Sequence, residues 1–479
     1  MKKLIAVLLV LIMAISMFAC GSKEKGKGNE GSTPAPDTQS GEHLPDADYN
    51  GVDFRISTKT NSLYEVFTDA EDSTDICESA LIQRNNAVED KYSVNIRPII
   101  ASANDLDTQV NEIIGNVMSD YDVYDLLLTY VYSSGTLVMS DVLLDWNDEE
   151  TFKYTDFSQS YWHSDVNNNF AIKDSIYTAV GDMSMSTLTL TFCLYYNKTM
   201  GDNMGLTDQV LEAIDKNEWT LDYFTQLVGG IYTDSDEWPG VTVNDTFGFS
   251  TDPLTSLDNW NFALDLTIIS RDENGDLVCN YNNERTISAI QAVNALCWEN
   301  QGVRVDTQPH VRFKNNRCLF ISSWFDYSMT EFAQMDNVYV ILPFPLLDDN
   351  QEKYMTGAMD NYSMLSVPRT AAETEMISVI TEALNKYSED ILYPAYYDKA
   401  LKNKYSQDPI TAEMIDLVMA GRTFDMAQMF GSNTGWVGGM MRKLVAANSN
   451  DFQSEWDSLS EALNQGLQNI MAKYEENKG

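Results

Sequence analysis

The stretch from Tyr49 to Thr129 constrains the fold of this chain most, because the spacing of its apolar residues changes repeatedly between two periods. Segments that alternate apolar and polar residues, as strands do, are separated by segments with helical spacing. The succession is strand Tyr49–Ser57, helix Ile76–Tyr92, strand Ser93–Ile100, helix Leu106–Met118 and strand Tyr121–Thr129. This β-α-β-α-β order predicts an α/β fold with a parallel sheet covered by helices.

The carboxyl ends of these strands predict where a ligand would bind. In open sheets of this kind, ligands lie beyond the carboxyl ends of the strands. Those ends fall at Ser57–Asn61 and Thr129–Ser134. The second segment brings hydroxyls and rings, so its candidate ligand contacts are Thr129, Tyr130 and Tyr132, with packing as the alternative for either tyrosine.

The first 21 residues are typical of a bacterial export signal that ends in a lipidation site. They combine Lys2 and Lys3, an apolar run from Leu4 to Phe18, and the sequence Ala19-Cys20-Gly21. The alternative is a permanent membrane anchor, but about 15 apolar residues are fewer than the roughly 20 that span a bilayer. We therefore expect removal of residues 1–19, diacylation of Cys20, and a lipid-anchored protein on the extracellular face of a membrane, in a Gram-positive bacterium.

Residues 20–48 have the composition of a flexible linker. Gly, Ser, Lys, Pro and acidic residues dominate, and too few apolar residues are present to bury a core. Ordered sequence is predicted to begin near Tyr49. The remaining chain, about 430 residues, exceeds what a single core usually supports, so two lobes are expected.

The net charge narrows the range of partners. The chain has 72 acidic and 31 basic residues, for a formal net charge of −41. Such a protein repels nucleic acid and anionic lipid, which excludes both as partners apart from the lipid anchor itself. Solubility accounts for the charge, and binding of a neutral ligand is compatible with it.

Histidine and cysteine are too sparse to predict a metal centre or a catalytic triad. Three histidines are present, one of them, His43, in the predicted linker. The cysteines beyond Cys20 show no CxxC spacing, so they are expected to be small buried hydrophobic residues, with one or two disulfides as the alternative. These cysteines are Cys77, Cys193, Cys279, Cys297 and Cys318. We predict no metal and no cofactor.

Later segments carry a series of recognisable motifs. Asp174–Lys198 is an extended segment too long for one ordinary strand, and Thr220 is placed to cap the helix that follows it. In chain order the motifs are VEDKYSVNI, YDVYDLLL, IYTAVGD…YYNK, EWTLDYF, FKNNRCLFISSW, ILPFP, NYSMLSVPRTA and ALNKYSEDILYPAYYDKALKNKYSQD. Together they resemble the family 1 extracellular solute-binding proteins of ABC transporters, the group that includes maltose-binding protein. The resemblance extends from Tyr49 to about Phe430.

The resemblance implies a two-lobed periplasmic-binding-protein type II fold with a ligand cleft between the lobes. Carried over, the first lobe comprises residues 49–182 plus 343–395, and the second comprises 190–340 plus 396–479. The chain would cross between the lobes near Gly181–Thr189 and Leu342–Asn361. Closure of such lobes around a ligand lets a transporter distinguish loaded from empty protein.

The resemblance also implies site residues. Trp324 in the segment ISSWFDY falls where relatives place a cleft aromatic, and an indole suits the flat C–H face of a sugar. Asp326 and Tyr327 adjoin it. The other candidates lie at the two crossings or in a loop where relatives contribute to the cleft: Asp182, Met183, Ser184, Asp360, Asn361, Asn259 and Trp260.

One segment departs from the relatives. Between Tyr232 and Phe249, many relatives carry a stretch that looks like a calcium loop, but here Asp234, Asp236 and Asp245 lack the regular ligand spacing. A second acidic stretch, RDENGDLV, is better explained as a hairpin that turns at Asn274-Gly275. Neither stretch changes the expectation of no metal.

The expected function is capture of a solute, in particular an oligosaccharide, and its delivery to the permease of an ABC transporter by a monomeric binding protein. One alternative is a sensor or scaffold built on the same fold. Another is a secreted carbohydrate-active enzyme, but no motif fixes two carboxylates in a cleft, and no nucleophile elbow or phosphate loop is present. We therefore expect no enzymatic activity.

Overall fold

The computed structural model describes residues 43–105, 107–236, 240–404 and 408–476. The predicted signal sequence and the predicted lipidation site Cys20 lie outside these residues, and so does Leu106 at the start of a predicted helix. Within the described ranges, no helix is long and apolar enough to cross a membrane.

The strands and helices alternate along most of the chain. The strands are β1 (Val52–Thr58), β2 (Val94–Ile100), β3 (Leu126–Tyr130), β4 (Phe192–Asn197), β5 (Tyr232–Thr233), β6 (Thr246–Thr251), β7 (Ile269–Arg271), β8 (Leu277–Cys279), β9 (Val303–Val305), β10 (Cys318–Trp324), β11 (Tyr339–Leu342) and β12 (Ser363–Ser366). The α-helices are α1 (Ile76–Tyr92), α2 (Thr108–Met118), α3 (Val131–Met139), α4 (Ser164–Phe170), α5 (Ser186–Thr189), α6 (Lys198–Met204), α7 (Thr207–Asp215), α8 (Leu221–Gly229), α9 (Asn259–Ala263), α10 (Glu284–Trp298), α11 (Pro309–Lys314), α12 (Asp326–Met329), α13 (Thr374–Tyr387), α14 (Pro409–Ala420), α15 (Met426–Met429), α16 (Met440–Ala446) and α17 (Phe452–Glu476).

The first sheet confirms the predicted β-α-β-α-β start. Its strands lie in the order β12-β3-β1-β2, with β1 parallel to both β2 and β3 and with β12 antiparallel to β3. The third strand begins five residues later than predicted. Asp120 has a φ of 59° and the Tyr121 N–H donates to the Asn116 carbonyl, so these residues still belong to the turn that ends α2.

The second sheet is built around β4. This strand lies between β10 and β11 and is antiparallel to both, whereas β10 is parallel to β6. The prediction of one extended segment from Asp174 to Lys198 is wrong in its middle, where α5 forms. The Leu190 N–H donates to the Ser186 carbonyl, and the Thr191 hydroxyl donates to the Thr187 carbonyl at 2.8 Å, so hydroxyl-bearing residues stabilise a helical turn here.

Two segments pass between the sheets side by side. Ala179 pairs with Leu365 in the first sheet, and Thr191 pairs with Ala358 close to the second. The chain passes again through two π-helices, Ser388–Leu392 and Ala395–Lys404. The first passage coincides with the predicted crossing Gly181–Thr189, whereas the second, between Ala358 and Leu365, overlaps only the end of the predicted crossing Leu342–Asn361. The lobe boundaries stay a prediction.

The predicted linker, residues 20–48, is too long at its carboxyl end. Residues 43–48 pack onto the folded body. His43 Nε2 lies 3.0 Å from the carboxylate of Glu382, which is fully buried on α13. Leu44 and Ala47 pack against the core beside the first sheet. We call residues 43–49 the N-terminal strap. Two apolar side chains and two ion pairs, His43 with Glu382 and Asp46 with Lys91, hold a segment whose composition alone suggested a linker.

Smaller local predictions are confirmed. The Thr220 side chain accepts from the Tyr223 N–H and caps α8. Strands β7 and β8 form an antiparallel hairpin, with Gly275 at a φ of 80° in its turn. Among the described residues, no two cysteines join in a disulfide, and those on β4, α10 and β10 are buried.

The N-terminal strap predicts a pH-dependent attachment. The hydrogen bond to Glu382 raises the pKa of His43 above 6.5. A raised histidine pKa stabilises the attached state fully below about pH 6.5, and this stabilisation is lost as the pH rises through the folded pKa. Hydrogen exchange of residues 43–49, corrected for intrinsic rates, should therefore be slower at about pH 6 than at about pH 8. The variant His43→Gln should show no such difference, and identical profiles for both proteins would contradict the account.

Candidate functional site

The strand ends of the first sheet carry two tyrosine rings and a buried lysine. Lys59 follows β1, and its Nζ lies 4.5 Å from the centre of the Tyr130 ring. The Tyr130 and Tyr132 rings are 5.5 Å apart. Burial raises the pKa of both tyrosines, so their hydroxyls stay protonated at neutral pH. This rim presents aromatic faces together with neutral hydroxyls.

The strand end of β10 presents a matching group on the second sheet. Trp324 is half-buried, and its ring contacts Tyr327 edge-on with centres 4.8 Å apart. Phe192 supports the indole at 6.0 Å. Burial raises the pKa of Asp326. The three predicted residues Trp324, Asp326 and Tyr327 therefore form one continuous surface.

Tyr64 lies close to residues of both rims. It lies in the single helical turn Thr60–Glu65 that follows β1, and its side chain is 44% exposed. Burial of its hydroxyl raises the pKa of Tyr64 well above the usual value, and the nearby carboxylates of Glu65 and Asp326 add to the rise. Because Asp326 follows β10, Tyr64 and the two rims together mark the candidate cleft.

A small cavity of about 40 Å³ lies at the crossings, next to this cleft. Its charged walls are Asp258, Asp360 and Arg442. An Arg442 Nη1 donates to Asp258 Oδ2 at 2.9 Å. Burial raises the pKa of Asp258 to about 8 and also raises that of Asp360, and Arg442 opposes both rises. The cavity therefore sets two buried carboxyl groups and one guanidinium among mostly apolar walls.

Trp436 also lines this cavity, and sequence reasoning missed it. Its side chain is 51% exposed and its backbone is left-handed, with φ 58° and ψ 38°. Its ring packs over Gly431, where a Cβ atom would lie only 2.6 Å from the indole. A bulky residue in this conformation costs free energy, and such strain is concentrated at functional sites. The available signal was a tryptophan among glycines, NTGWVGG.

Asp258, Arg442 and Tyr64 were also missed, for a simpler reason. Asp258 directly precedes the predicted Asn259, and Tyr64 lies three residues beyond the predicted rim Ser57–Asn61. Arg442 lies on α16, far away in sequence. Nothing local marks any of the three, because only the folded chain brings them to the cavity and the cleft.

Several predicted residues have buried side chains that are engaged with protein groups. Thr129 Oγ1 lies 3.1 Å from Ser134 Oγ, and Asp182 Oδ1 lies 2.8 Å from His163 Nε2. Met183 is fully buried in the core. These three side chains are buried and lie against other protein groups.

Asn259 and Trp260 are buried in the same way. Asn259 Oδ1 accepts from the Gly357 N–H at 2.8 Å, which ties α9 to a crossing. Trp260 is fully buried, edge-on to Phe344. Of the two predicted residues at the second crossing, Asp360 lines the cavity, and Asn361 is half-buried with a shielded Oδ1 that accepts no hydrogen bond.

Ser184 belongs to a hydrogen-bond network around Glu65. The buried Glu65 carboxylate accepts from the hydroxyls of Ser184 at 2.6 Å and Ser363 at 2.7 Å. It also accepts from the Ser186 N–H. Burial raises the pKa of Glu65. The network joins the turn that carries Tyr64 to both crossings.

The three aspartates in the stretch that differs from the relatives' calcium-like loop lie close together. Single carboxylate oxygens of Asp234, Asp236 and Asp245 lie within 4.8 Å of one another. Asp245 accepts from the backbone N–H groups of Ser235 and Thr242. Hydrogen bonds within the loop therefore account for this clustering.

A second, larger cavity of about 270 Å³ lies behind Phe262. Asp425 is its buried carboxylate, and it accepts from the N–H groups of Ile268, Ile269 and Ala427. Arg271 donates to carbonyls of α4 and the following residue. Because Arg271 and Asp425 are already engaged with backbone groups, the cleft with its aromatic rims is the better candidate site.

Three solved structures have the same architecture as this chain. An ABC substrate-binding protein from Listeria monocytogenes in complex with cycloalternan has a TM-score of 0.53 at 12% identity, covering 88% of this chain and 98% of that chain. The lacto-N-biose-binding protein of an ABC transporter from Bifidobacterium longum has a TM-score of 0.55 at 12% identity, over 87% and 98%. UgpB from Mycobacterium tuberculosis, in complex with glycerophosphocholine, has a TM-score of 0.53 at 12% identity, over 90% and 99%.

The chain has the two-lobed fold of ABC transporter solute-binding proteins. The predicted fold class is thereby confirmed. No protein-family model and no curated protein matches the chain. At 12% identity the likeness establishes the two-lobed fold, and the ligand must be argued from the residues of the cleft.

The raised pKa of Asp258 predicts how the stability of this fold depends on pH. The folded state keeps a proton up to about pH 8, which the unfolded chain loses at a pKa near 3.8. Stability is therefore lost as the pH rises through this window, by at most about 1.4 kcal/mol per pH unit. Asp258→Asn removes the ionisable group. In urea unfolding at about pH 5 and pH 7.5, its stability relative to wild type should rise with pH.

The exposed substitution Asp222→Asn on α8 provides the control, and its stability difference should not change between the two pH values. A difference for Asp258→Asn that is equally independent of pH would contradict the assignment.

Proposed function

We propose that the protein is a member of the family 1 extracellular solute-binding proteins and captures a solute, an oligosaccharide, in the cleft between its lobes. It then delivers the solute to the permease of an ABC transporter. The observation that carries this proposal is the pair of rims near Tyr64, each with aromatic rings beside protonated hydroxyls or carboxyl groups. It works without catalysis and as a monomer.

The chemistry of the rims favours a sugar. The C–H face of a sugar ring is flat and mildly electropositive, so it stacks on indole and phenol rings, while carboxylates and hydroxyls accept from or donate to its hydroxyl groups. Exposed aromatic rings do not stabilise the free protein as buried rings do. Their exposure beside a cleft is therefore typical of a binding surface. The proposed ligand contacts are Tyr64, Tyr130, Tyr132, Trp324, Asp326, Tyr327, Asp360, Asn361 and Trp436.

In this proposal the first lobe comprises residues 49–182 plus 343–395, and the second comprises 190–340 plus 396–479. The N-terminal strap extends the first lobe to His43. Closure moves one lobe toward the other about the crossings, and the closed form is the one that a permease recognises.

The proposed location rests on the amino-terminal sequence. Cleavage before Cys20 and diacylation of its sulfur tether the body to the outer face of the membrane, in a Gram-positive bacterium. The predicted linker of residues 20–42 spaces the body from the lipid surface. This tether keeps captured solute close to the permease.

The aromatic rings give a direct test. A panel of mono- and oligosaccharides is screened by thermal shift, since a ligand at 100 times its dissociation constant adds about 2.7 kcal/mol of stability. With the sugar that stabilises the protein most, Trp324→Ala and Trp436→Asn should each weaken binding by about 2 kcal/mol in titration calorimetry. Asparagine tolerates the left-handed backbone at 436.

Trp298→Ala is the matched control. Trp298 is 43% exposed, donates to the Val445 carbonyl and lines neither cavity. Its substitution should leave affinity unchanged. Unchanged affinity in both cleft variants would remove the two rings from the site, and turnover of the sugar would favour an enzyme. Binding without uptake by cells would favour the alternative of a sensor or scaffold.

The anchor has its own test. Cys20→Ala removes the sulfur that the lipid requires, so the variant should appear in the culture medium while wild type stays with membranes and incorporates a labelled fatty acid. A variant that stays on the membrane would contradict lipidation at this cysteine. Sugar affinity of the purified protein should be the same in both forms.

A further inference from the structure

The inner walls of the small cavity beside Trp436 are apolar. The residues that line it and are almost fully buried in the protein include Phe192, Phe262, Ile268, Ala358 and Ala427. Water gains little from contact with such walls, whereas an apolar group that replaces the water gains the free energy of burial. The inner part of the cavity therefore favours an apolar group.

The more exposed wall residues mark the mouth of the cavity. Trp436 is 51% exposed, and the side chain of Arg442 is 30% exposed. Asp360 is half-buried, and its carboxylate contributes to the raised pKa of Tyr132 on the rim of the first sheet. The cavity therefore opens toward the cleft, with a ring, a guanidinium and a carboxylate at its mouth.

The charges of the cavity balance at neutral pH. Because burial raises the pKa of Asp258 to about 8, its carboxyl group is protonated and neutral there. The guanidinium of Arg442 then balances the carboxylate of Asp360. A neutral group enters without leaving a charge unbalanced, whereas an ammonium or a carboxylate group of a ligand would upset the balance.

The two charged groups at the mouth still have hydrogen-bonding capacity. Arg442 Nη1 lies 2.9 Å from Asp258 Oδ2, and a guanidinium has further N–H donors on its other two nitrogens. Asp360 accepts from its own backbone N–H, and its carboxylate can accept more than one hydrogen bond. The mouth therefore offers one donor and one acceptor to a ligand.

The size of the cavity limits which part of a ligand enters it. Its volume is about 40 Å³. Since a water molecule needs roughly 10 to 15 Å³ of cavity, a substituent of about four bonded heavy atoms fits and a sugar ring does not. The ring that carries the substituent stays outside, against the exposed indole of Trp436.

We propose that this cavity binds the acetamido group of an N-acetylated amino sugar. The proposal rests on the proposed function and names the substrate class of that same cleft. The methyl group packs against the apolar inner walls, the N–H donates to Asp360, and the carbonyl accepts from Arg442. A hydroxyl leaves the apolar walls unfilled, and a methyl group alone leaves both polar groups at the mouth without partners.

The test compares sugars that differ in this substituent, by titration calorimetry at about pH 7. The N-acetylated sugars are N-acetylglucosamine, N-acetylgalactosamine, N-acetylmannosamine, N-acetyllactosamine and diacetylchitobiose. Their parents with hydroxyl groups are glucose, galactose, mannose, lactose and cellobiose. At least one acetylated sugar should bind about tenfold more tightly than its parent, because it adds a buried methyl group and two hydrogen bonds. Fucose and rhamnose test a methyl group alone, and glucosamine tests an amine.

A variant that fills the cavity should abolish this preference. Gly439 lines the cavity, and a Cβ atom there would lie 3.4 Å from Arg442 Nη2, which is an ordinary contact. Gly439→Val should therefore reduce the ratio of acetylated to parent affinity to about one. Gly230→Val is the matched control, since Gly230 is exposed, lines neither cavity and has nearly the same φ, −80° against −88°. It should keep the ratio.

Asp360→Ala provides a second variant, because it removes the acceptor for the acetamido N–H. It should weaken binding of the acetylated sugar more than binding of its parent. Thermal melting establishes that each variant folds. If Gly439→Val does not fold, Asp360→Ala and the panel on wild-type protein decide.

Equal affinity for every acetylated sugar and its parent would overturn the proposal. So would tighter binding of fucose, rhamnose or glucosamine than of any acetylated sugar, or a ratio that both cavity variants leave unchanged. Binding of lactose or cellobiose without preference for the acetylated form would overturn this inference and leave the proposed function intact. Failure of every sugar to bind at millimolar concentration would remove both.

Discussion

The buried carboxylate of Glu65 is the contact on which the rest of this architecture depends. It accepts from the hydroxyls of Ser184 and Ser363, which lie on the two neighbouring crossings. Arg84, also buried, donates to the Glu65 carbonyl and to the Ser388 hydroxyl in the first π-helix. Glu65 thus connects the two neighbouring passages, Arg84 links it to the third, and the preceding residue in the chain, Tyr64, faces the cleft. The residue that connects the passages is therefore a chain neighbour of a residue that faces the cleft.

Periodicity predicted the first sheet because local spacing decides it. Helix α1 was predicted at both ends, and the ordered motifs placed Trp324, Asp326 and Tyr327 together on one surface. The helical turn α5 was missed, since its stability comes from hydroxyl-to-carbonyl bonds such as that of Thr191. The N-terminal strap was missed because its partner, Glu382, is more than three hundred residues away in sequence.

The site illustrates the same limit. Trp436, Arg442 and Asp258 meet Asp360 at one cavity although they come from separate loops and helices. No spacing rule joins them. The left-handed backbone of Trp436 is a property of the folded loop. The neighbouring glycines in the sequence indicate it only weakly. Conversely, Asn259 and Trp260 were predicted as contacts, yet hydrogen bonding and core packing explain their positions. Because the identity to proteins of the same fold is low, the fold alone does not determine the ligand. The ligand has to be inferred from these particular side chains.

Hydrogen exchange with and without the sugar selected by the thermal-shift panel tests the central claim most directly, because the described residues form more than one cavity. If the cleft is the site, the ligand should slow exchange in the turn after β1, the segment after β10 and the loop that carries Trp436. Protection confined to residues 265–271 and 423–426 would place the ligand in the larger cavity and contradict the account.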